Sequence, residues 1–445
     1  MATTVQKSNN ADEVRKIRFT TLVSGSFGNF VEWYDWGIFA VLATVFSAQI
    51  FHSGSDIASL LQTLATFAVG FAARPLGAVL LSPLGDRLGR KRLLVIAILM
   101  MSGSSLVLGI IPTYDVIGPL APIIFVLARV VQGISAGAEF QSGASFIVEH
   151  APEEHRGAFG SVTLLSCILG SLAATGVGAL VTNLLPQDAL ESWGWRLPFV
   201  LGALLGVIGL YMRRRVPETP AFESVEERSE IVKSPLVEAF KHHKLTMLRV
   251  FAISVYTGTY YLWTVFLPTY AHLASGLPLS QTLLGGIVAL MLMAFTLPLY
   301  GRLSDRIGRK PLLVAYCVGM ILFTYPMLKL LEIPNFGIFL AVDIVGCFII
   351  GLTSATQSTA YCEMIPADVR TTVMGVPYNV SSALVGGTMP LIATSLLNAG
   401  HGPAVAFVVI GISIFSLIVL LFTHEMRGNP LEATEDSPPA VTTAI

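Results

Sequence analysis

Two heptapeptides decide the fold of this chain. Residues 85–91 read Gly-Asp-Arg-Leu-Gly-Arg-Lys, and residues 304–310 read Ser-Asp-Arg-Ile-Gly-Arg-Lys. A second set of matching positions follows each heptapeptide with the same internal spacing: Glu149, Pro152, Arg156 and Glu363, Pro366, Arg370. The offset is 219 residues for the first pair and 214 for the second, a difference no larger than a loop insertion. Such a repeat predicts two halves of similar structure in parallel orientation.

The composition is that of a membrane protein. Hydrophobic residues make up 53% of the 445 residues and charged residues 12%, with a mean hydropathy of +0.71. Soluble domains carry about 25% charged residues. The net charge of -1 indicates no nucleic-acid partner. The four cysteines lie in apolar stretches without metal-ligand spacing, so we interpret them as packing thiols and expect no metal and no cofactor.

Hydropathy divides the chain into membrane spans. A bilayer core of about 30 Å needs about 20 apolar residues per helix. The polar stretch up to Thr21 predicts no cleavable signal peptide. Twelve spans are predicted: 22–47, 57–83, 92–112, 119–149, 157–184, 195–213, 246–273, 279–301, 311–331, 336–363, 371–396 and 403–425.

Lysine and arginine are distributed unequally between the two sets of loops. One set, which includes both terminal segments, carries almost all of them, whereas the other holds only Arg196 and Lys329. The positive-inside rule therefore predicts that both termini are cytoplasmic. The predicted division is an N-terminal segment, a six-helix bundle, a cytoplasmic central loop, a second six-helix bundle and a cytoplasmic tail: 1–21, 22–213, 214–245, 246–425 and 426–445.

The repeated charged motifs suggest a role in conformational change. An aspartate beside clustered cations at a helix end can pair with a neighbouring helix and hold one side of the protein shut. The alternative is simple anchoring in the membrane interface. Two copies at equivalent places favour gating, for which the candidates are Asp86, Arg87, Arg90, Asp305, Arg306, Arg309, Glu149, Arg156, Glu363 and Arg370.

At these residues the chain resembles the major facilitator superfamily and, within it, the metabolite:proton symporter family. The resemblance runs from residue 25 to residue 427 and includes the heptapeptides above. Its further signatures lie at residues 28–35, 74–77, 129–133, 137–139, 193–199 and 217–220.

The resemblance implies a secondary active transporter that works by alternating access. It implies proton-coupled uptake of a small organic acid, such as a citrate-like di- or tricarboxylate or 2-oxoglutarate. Residues 261–270 are similar to the citrate and tricarballylate branch. Symport of shikimate or an aromatic acid, symport of a zwitterionic osmolyte (proline or betaine), and uncoupled facilitation remain alternatives. The family also implies a multi-pass protein of the bacterial inner membrane, which we expect to be a monomer.

Two departures from the family pattern bear on the substrate and on regulation. Gln141 and Ser142 stand where the family often has two glycines, so a polar amide could line the pathway. The tail from residue 428 has no heptads, unlike the long coiled coil of the family's osmolyte transporter. This disfavours osmosensing.

Two arginines are predicted to lie inside spans. Arg129 is about nine residues into the fourth span, roughly 14 Å deep. A charge at that depth costs at least ~2.5 kcal/mol, so an anionic substrate or a membrane carboxylate should compensate it. Arg74 lies nearer the cytoplasmic end, where it could partly snorkel. A permanent structural ion pair is the alternative to substrate binding.

Three buried carboxylates are candidates for proton coupling. Glu32 and Asp35 are three residues apart and so share one face of the first helix, where both would not ionise easily. Glu139 in the fourth span is the third candidate. A polar contact between helices is the alternative for each. Asp343 is predicted to be shallower, and we interpret it as an interfacial residue.

The remaining candidates concern the pathway and the class of protein. Gln141 and four aromatic or amide side chains could bind substrate: Tyr260, Tyr261, Tyr378 and Asn379. The small residues at 133, 137, 170, 174 and 178 recur every four positions, which indicates close helix packing. The chain has no phosphate-binding Gly-rich loop with Lys and Ser/Thr, and no nucleophile elbow, so we predict that it is not an enzyme.

Overall fold

A computed structural model of the chain describes residues 2–51, 56–228 and 231–431. The described residues form twelve long helical segments and no strand. The first six are α1 (Ala2–Ile50), α2 (Asp56–Leu88), α3 (Arg90–Ile110), α4 (Leu120–Glu149), α5 (Arg156–Leu184) and α6 (Leu197–Arg214). The other six are α7 (Lys244–Ser275), α8 (Leu279–Ile307), α9 (Lys310–Leu330), α10 (Phe336–Met364), α11 (Ala367–Asn398) and α12 (Val405–Leu421).

Eleven helices of the described part, α2 to α12, are long and apolar enough to cross a membrane. The twelfth, α1, has the length, but its middle carries Asn29, Glu32 and Asp35. These polar side chains point into the protein, where each is at most 1% exposed. The all-helical fold predicted from hydropathy is therefore confirmed.

The two halves of the chain repeat one packing scheme. In the first half α2 packs on α4, α3 on α6 and α1 on α5; in the second half α8 packs on α10, α9 on α12 and α7 on α11. These are the same pairs shifted by six helices, which confirms the pseudo-symmetry that the repeated heptapeptides predict. The halves meet through α2 with α11 and through α5 with α8. The polar segment between the two bundles holds two short helices, Pro220–Glu227 and Pro235–His242. The predicted residue boundaries of the bundles stay a prediction.

Glycines let the helices of the first half approach closely. A Cβ atom on Gly133 or Gly137 would overlap the carbonyl oxygens of Gly70 and Arg74 on α2. A Cβ atom on Gly170 would overlap the backbone of α1 in the same way. Larger residues would push the backbones apart, so the prediction that the small residues serve packing is confirmed.

Two membrane helices contain a π-turn. In α7 the turn covers Leu262–Phe266, and in α11 it covers Ser382–Gly386. Pro268 and Pro390 follow the turns. A proline inside a helix has no N–H to donate, and its ring clashes with the carbonyl one turn earlier. The wider π-turn accommodates this loss of a hydrogen bond. The second turn lies next to the start of the first, since Gly386 contacts the ring of Tyr261, the residue before Leu262.

Candidate substrate site

The end of the molecule that carries the two heptapeptides, which we call the motif end, is closed. Asp86 at the end of α2 accepts hydrogen bonds from the backbone N–H groups of Thr371 and Thr372, both at 2.9 Å, at the start of α11. Asp305 at the end of α8 accepts from Gly157 at 2.7 Å and Ala158 at 2.9 Å, at the start of α5. Each carboxylate thus caps the positive N-terminus of a helix in the other half. We call these four bonds the cap contacts.

Ion pairs reinforce the cap contacts on each side. Glu149 lies 2.7 Å from Arg370 of the other half and 3.4 Å from Arg90. The equivalent Glu363 lies 2.9 Å from Arg309 and 3.7 Å from Arg156. Eight of the ten predicted gating residues therefore meet at the motif end. The other two, Arg87 and Arg306, are exposed.

A cavity of about 550 Å³ lies between the halves, on the far side of this closure. Its wall is built by α1, α2 and α5 from the first half and by α7, α8 and α11 from the second. Both π-turns border it. Aromatic side chains dominate its lining: Trp33, Trp36, Phe67, Phe71, Tyr260 and Tyr261.

Arg74 is the one charged residue among the described residues that line the cavity. Its guanidinium lies 2.5 Å from a carboxylate oxygen of Glu32 and 3.5 Å from the hydroxyl of Tyr261. It also lies over the ring of Phe71, 5.3 Å from the centroid. Both ends of the ion pair are almost fully buried. The cavity thus offers a cation whose one charged partner among the described residues is Glu32.

The aromatic side chains around Arg74 come from both halves. Trp33 stacks on Tyr261 with centroids 6.4 Å apart and an interplanar angle of 15°. Trp33 meets Tyr260 edge to face at 6.2 Å, and Phe71 meets Tyr261 edge to face at 5.7 Å. Such a group presents several electron-rich ring faces, which attract an organic cation. We call these four residues the aromatic cluster.

Arg129 does not line the cavity and lies next to Trp36, which does. Its guanidinium lies 3.7 Å from the ring centroid of Phe39 and 4.7 Å from that of Trp36. It donates to Gln132 at 2.5 Å, and its other two nitrogens have no hydrogen-bond partner among the described residues. Arg129 was predicted to bind substrate. In this conformation it contacts the rings of Phe39 and Trp36 and the amide of Gln132 instead.

The two acids of the first helix do not act as one pair. Glu32 binds Arg74, whereas Asp35 accepts a hydrogen bond from Ser105 on α3. Ser105 in turn accepts from Gln132 at 2.9 Å, which connects Asp35 with Arg129. Glu32 and Asp35 thus have different hydrogen-bond partners although they lie on one face of α1, and their predicted role in proton coupling stays a prediction.

Glu139 is already paired. It lies in hydrogen-bond contact with Arg213, which also donates to the carbonyl of Leu94. Arg213 is the last residue of the sixth predicted span, and its side chain folds inward and is 2% exposed. The pair sits against Gly28 on α1, where any side chain would overlap both partners. Arg213 is therefore a third buried arginine within a membrane helix, beside the two that the sequence analysis predicts.

Three further substrate candidates lie outside the lining of the cavity. Tyr378 stacks on Phe140 at 5.0 Å, and Asn379 donates to the carbonyl of Gly137 at 2.7 Å, so both join α11 to α4. Gln141 is buried, and neither of its amide atoms has a hydrogen-bond partner in the described part of the chain. Of the seven predicted substrate residues, the cavity is lined by Arg74, Tyr260 and Tyr261.

The sequence analysis missed the aromatic contribution of the first half. Trp33 and Trp36 lie inside the signature at residues 28–35 or directly after it, and Phe71 lies three residues before Arg74. Aromatic residues close to a buried ion pair are a usable signal for a site. In a chain with 25 phenylalanines and 5 tryptophans, however, this signal is easily lost.

The chain is similar in sequence to known membrane transporters. Residues 25–388 match the sequence profile of the Major Facilitator Superfamily, and the chain belongs to this family. It is 35% identical over 422 residues to the Escherichia coli inner membrane metabolite transport protein YhjE, covering 93% of this chain and 96% of that protein. It is 34% identical over 424 residues to the Dickeya dadantii glycine betaine/proline/ectoine/pipecolic acid transporter OusA, covering 92% and 84%.

The fold is also that of a solved transporter. The proton:xylose symporter XylE of E. coli, bound to 6-bromo-6-deoxy-D-glucose, superimposes with a TM-score of 0.77 over 94% of this chain and 98% of that one. Sequence identity is 18%, so this likeness concerns the fold alone. The protein is thus a multi-pass membrane transporter of the major facilitator superfamily, and not an enzyme.

The Glu139–Arg213 pair yields a test of the predicted coupling role of Glu139. Arg213→Gln leaves a buried carboxylate without its partner, which costs about 3–5 kcal/mol when a buried pair is broken. We expect a clearly lower melting temperature in detergent. The double variant Glu139→Gln/Arg213→Gln should recover most of this loss and should still accumulate substrate.

The matched control is Arg214→Gln, because Arg214 is the next residue, is basic and is exposed. It should melt like the wild type. A double variant that melts normally but cannot accumulate substrate would show that Glu139 carries a coupling proton.

Proposed function

We propose that this protein is a proton-coupled symporter for a small zwitterion with a carboxylate and a quaternary or secondary ammonium group, of the proline and betaine class. The observation that carries the proposal is Arg74 standing beside the aromatic cluster in one cavity. The relative OusA, named for glycine betaine, proline, ectoine and pipecolic acid, supports the same class.

Each end of such a substrate has a counterpart in the cavity. The planar guanidinium of Arg74 can hold a carboxylate with two parallel hydrogen bonds. A quaternary ammonium group cannot donate hydrogen bonds and is instead recognised by ring faces, here those of Trp33, Tyr260 and Tyr261. The cavity of about 550 Å³ falls within the usual range for small-molecule sites.

The ion pair between Arg74 and Glu32 provides a mechanism for proton coupling. A substrate carboxylate that binds Arg74 must compete with Glu32 for the same guanidinium. A displaced Glu32 would be a buried charge without a partner, which is unfavourable unless the carboxylate takes up a proton. Substrate and proton therefore bind together, and the inward proton gradient drives uptake. Asp35, linked to Arg129 through Ser105 and Gln132, is the second candidate for the proton.

A di- or tricarboxylate such as citrate, or 2-oxoglutarate, is the second candidate substrate. Arg74 would bind one carboxylate of it equally well. The remaining negative charges would meet no further cation among the described lining residues. The zwitterion is preferred because its positive end offsets its charge inside the low-dielectric cavity.

We also propose that the motif end faces the cytoplasm of a bacterial cell, with the protein in the inner membrane. The excess of lysine and arginine in the loops of this end supports that orientation. In the described conformation the cap contacts then close the cytoplasmic side. Their release would open the site inward, with the two halves rocking around it.

The first test is uptake by proteoliposomes of the purified protein. With an inward proton gradient we expect accumulation of labelled glycine betaine and proline, and loss of accumulation when an uncoupler is added. Trp33→Leu should weaken glycine betaine binding roughly 2- to 30-fold, the range of a cation–π contact. Arg74→Gln should abolish uptake of both substrates.

Trp193→Leu is the matched control, since Trp193 is an exposed tryptophan outside the cavity, and this variant should transport normally. Accumulation of citrate, tricarballylate, 2-oxoglutarate or shikimate in place of betaine and proline would overturn the substrate class. Full uptake with the uncoupler present would make the protein a facilitator.

The second test concerns the cap contacts as a gate. A carboxylate at a helix N-terminus contributes up to about 2 kcal/mol in a partly buried geometry. Asp86→Asn together with Asp305→Asn should therefore shift the population toward an open motif end. Spin labels at the exposed positions 87 and 306, on a background with the four cysteines replaced by alanine, would report this as a longer distance between the labels.

The control for this measurement is Glu332→Gln. It removes an exposed ion pair with Lys329, 2.5 Å apart, at the opposite end of the protein. It should leave the distance distribution unchanged. If the double Asn variant also leaves it unchanged, the heptapeptides anchor the helices and do not gate.

A further inference from the structure

Asp343 on α10 is a buried carboxylate that the proposed mechanism does not use. It is 1% exposed, so its side chain is enclosed by the protein, and its interpretation as an interfacial residue stays a prediction. The offset of 214 residues that relates Glu149 to Glu363 also relates Arg129 to Asp343. The second half therefore carries a buried acid where the first half carries a buried base.

The carboxylate of Asp343 is incompletely bonded. One oxygen accepts a weak hydrogen bond from the thiol of Cys347 at 3.6 Å. The other oxygen has no hydrogen-bond partner among the described residues. It faces α8 at Gly286, where a Cβ atom would lie 3.8 Å from it. A buried carboxylate with so little compensation is far more stable as the neutral acid than as the anion.

The surroundings of Asp343 contain no described cation that pairs with it. Lys329, at the end of α9, is exposed and pairs with Glu332. On α7, Tyr270 lies against Gly402, and the ring of His272 contacts the carbonyl of Leu277.

A second unsatisfied group lies one turn away. The indole ring of Trp263 packs directly on Gly346, three residues after Asp343 on the same helix, and its N–H has no hydrogen-bond partner in the described part of the chain. Trp263 belongs to the π-turn of α7. Its neighbours Tyr261 and Thr264 line the cavity. The helix that carries Asp343 thus contacts, at Gly346, a residue of the π-turn that borders the cavity, and the N–H of that residue is unpaired in the described part of the chain.

We propose that Asp343 is a proton-binding site of the second half, whose protonation state sets the position of the π-turn of α7. The neutral acid belongs to the described conformation. When the halves move, the O–H bond breaks and the proton passes to water. The resulting carboxylate then accepts a charge-assisted hydrogen bond from the indole N–H of Trp263. This draws the π-turn toward α10 and changes the cavity wall at Tyr261.

This inference rests on the proposed proton symport, and its test separates the two. The proton-to-substrate ratio would be measured in proteoliposomes from the membrane potential at which glycine betaine flux reverses. Asp343→Asn, which resembles the neutral acid, should transport with one proton fewer per substrate. It should keep gradient-free exchange of glycine betaine. Cys347→Ala, which removes only the weak thiol donor, should keep the wild-type ratio.

Infrared difference spectra give a second readout. A change of pH should produce a carboxylic acid C=O band in the wild type and in Cys347→Ala that is missing in Asp343→Asn. Trp263→Phe keeps the acid and the ring but lacks the N–H, so it should retain the band and shift the pH profile of KM. Trp263→Phe still tests the proposal if Asp343→Asn does not fold.

An unchanged ratio and an unchanged band in Asp343→Asn would overturn the proposal and leave proton symport intact. Wild-type uptake that ignores the uncoupler would instead overturn proton symport itself. A variant that loses exchange and accumulation equally would show a purely structural role for Asp343.

Discussion

The ion pair between Arg74 and Glu32 is the constraint on which the site depends. A guanidinium inside the membrane is tolerated only with compensation, and here one carboxylate at 2.5 Å supplies it. The same pair faces a cavity built for a small solute. In the mechanism that we propose, a substrate carboxylate takes over the role of Glu32, and Glu32 is then neutralised by a proton. In this mechanism the coupling at Glu32 follows from the electrostatics of the ion pair.

The closed motif end gives this exchange a direction. Asp86 and Asp305 each cap a helix of the opposite half, so the two contacts are related by the same pseudo-symmetry as the helices. They are short, buried or partly buried, and made to backbone N–H groups that any rocking motion would pull away. A site that loads on one side while these bonds hold, and releases when they break, operates by alternating access.

Much of the fold could be predicted because it follows from composition and repetition. The apolar runs give the helices, and the recurrence of the heptapeptides gives the two halves. The contacts within the membrane were harder to predict. Arg213 is the last residue of its predicted span, and hydropathy cannot show that its side chain folds back onto Glu139.

The candidate site could be predicted only in part, because hydropathy does not show which way a side chain points. The polar or ionisable residues of the spans include the three predicted residues that line the cavity: Arg74, Tyr260 and Tyr261. Arg129 is predicted to face the substrate by the same reasoning, but it lies among aromatic rings. Helix rotation decides which face a residue presents, and it depends on packing between helices far apart in sequence. Trp33 and Phe71 were overlooked because aromatic residues in membrane spans usually serve packing.

The role of Glu32 as the coupling group is tested most directly by the number of protons taken up when substrate binds. Titration calorimetry of glycine betaine binding, in buffers with different ionisation enthalpies, measures this number for the purified protein. We predict uptake of about one proton by the wild type and close to none by Glu32→Gln, which should still bind the substrate. If Glu32→Gln binds glycine betaine and takes up as many protons as the wild type, Glu32 is not the coupling group.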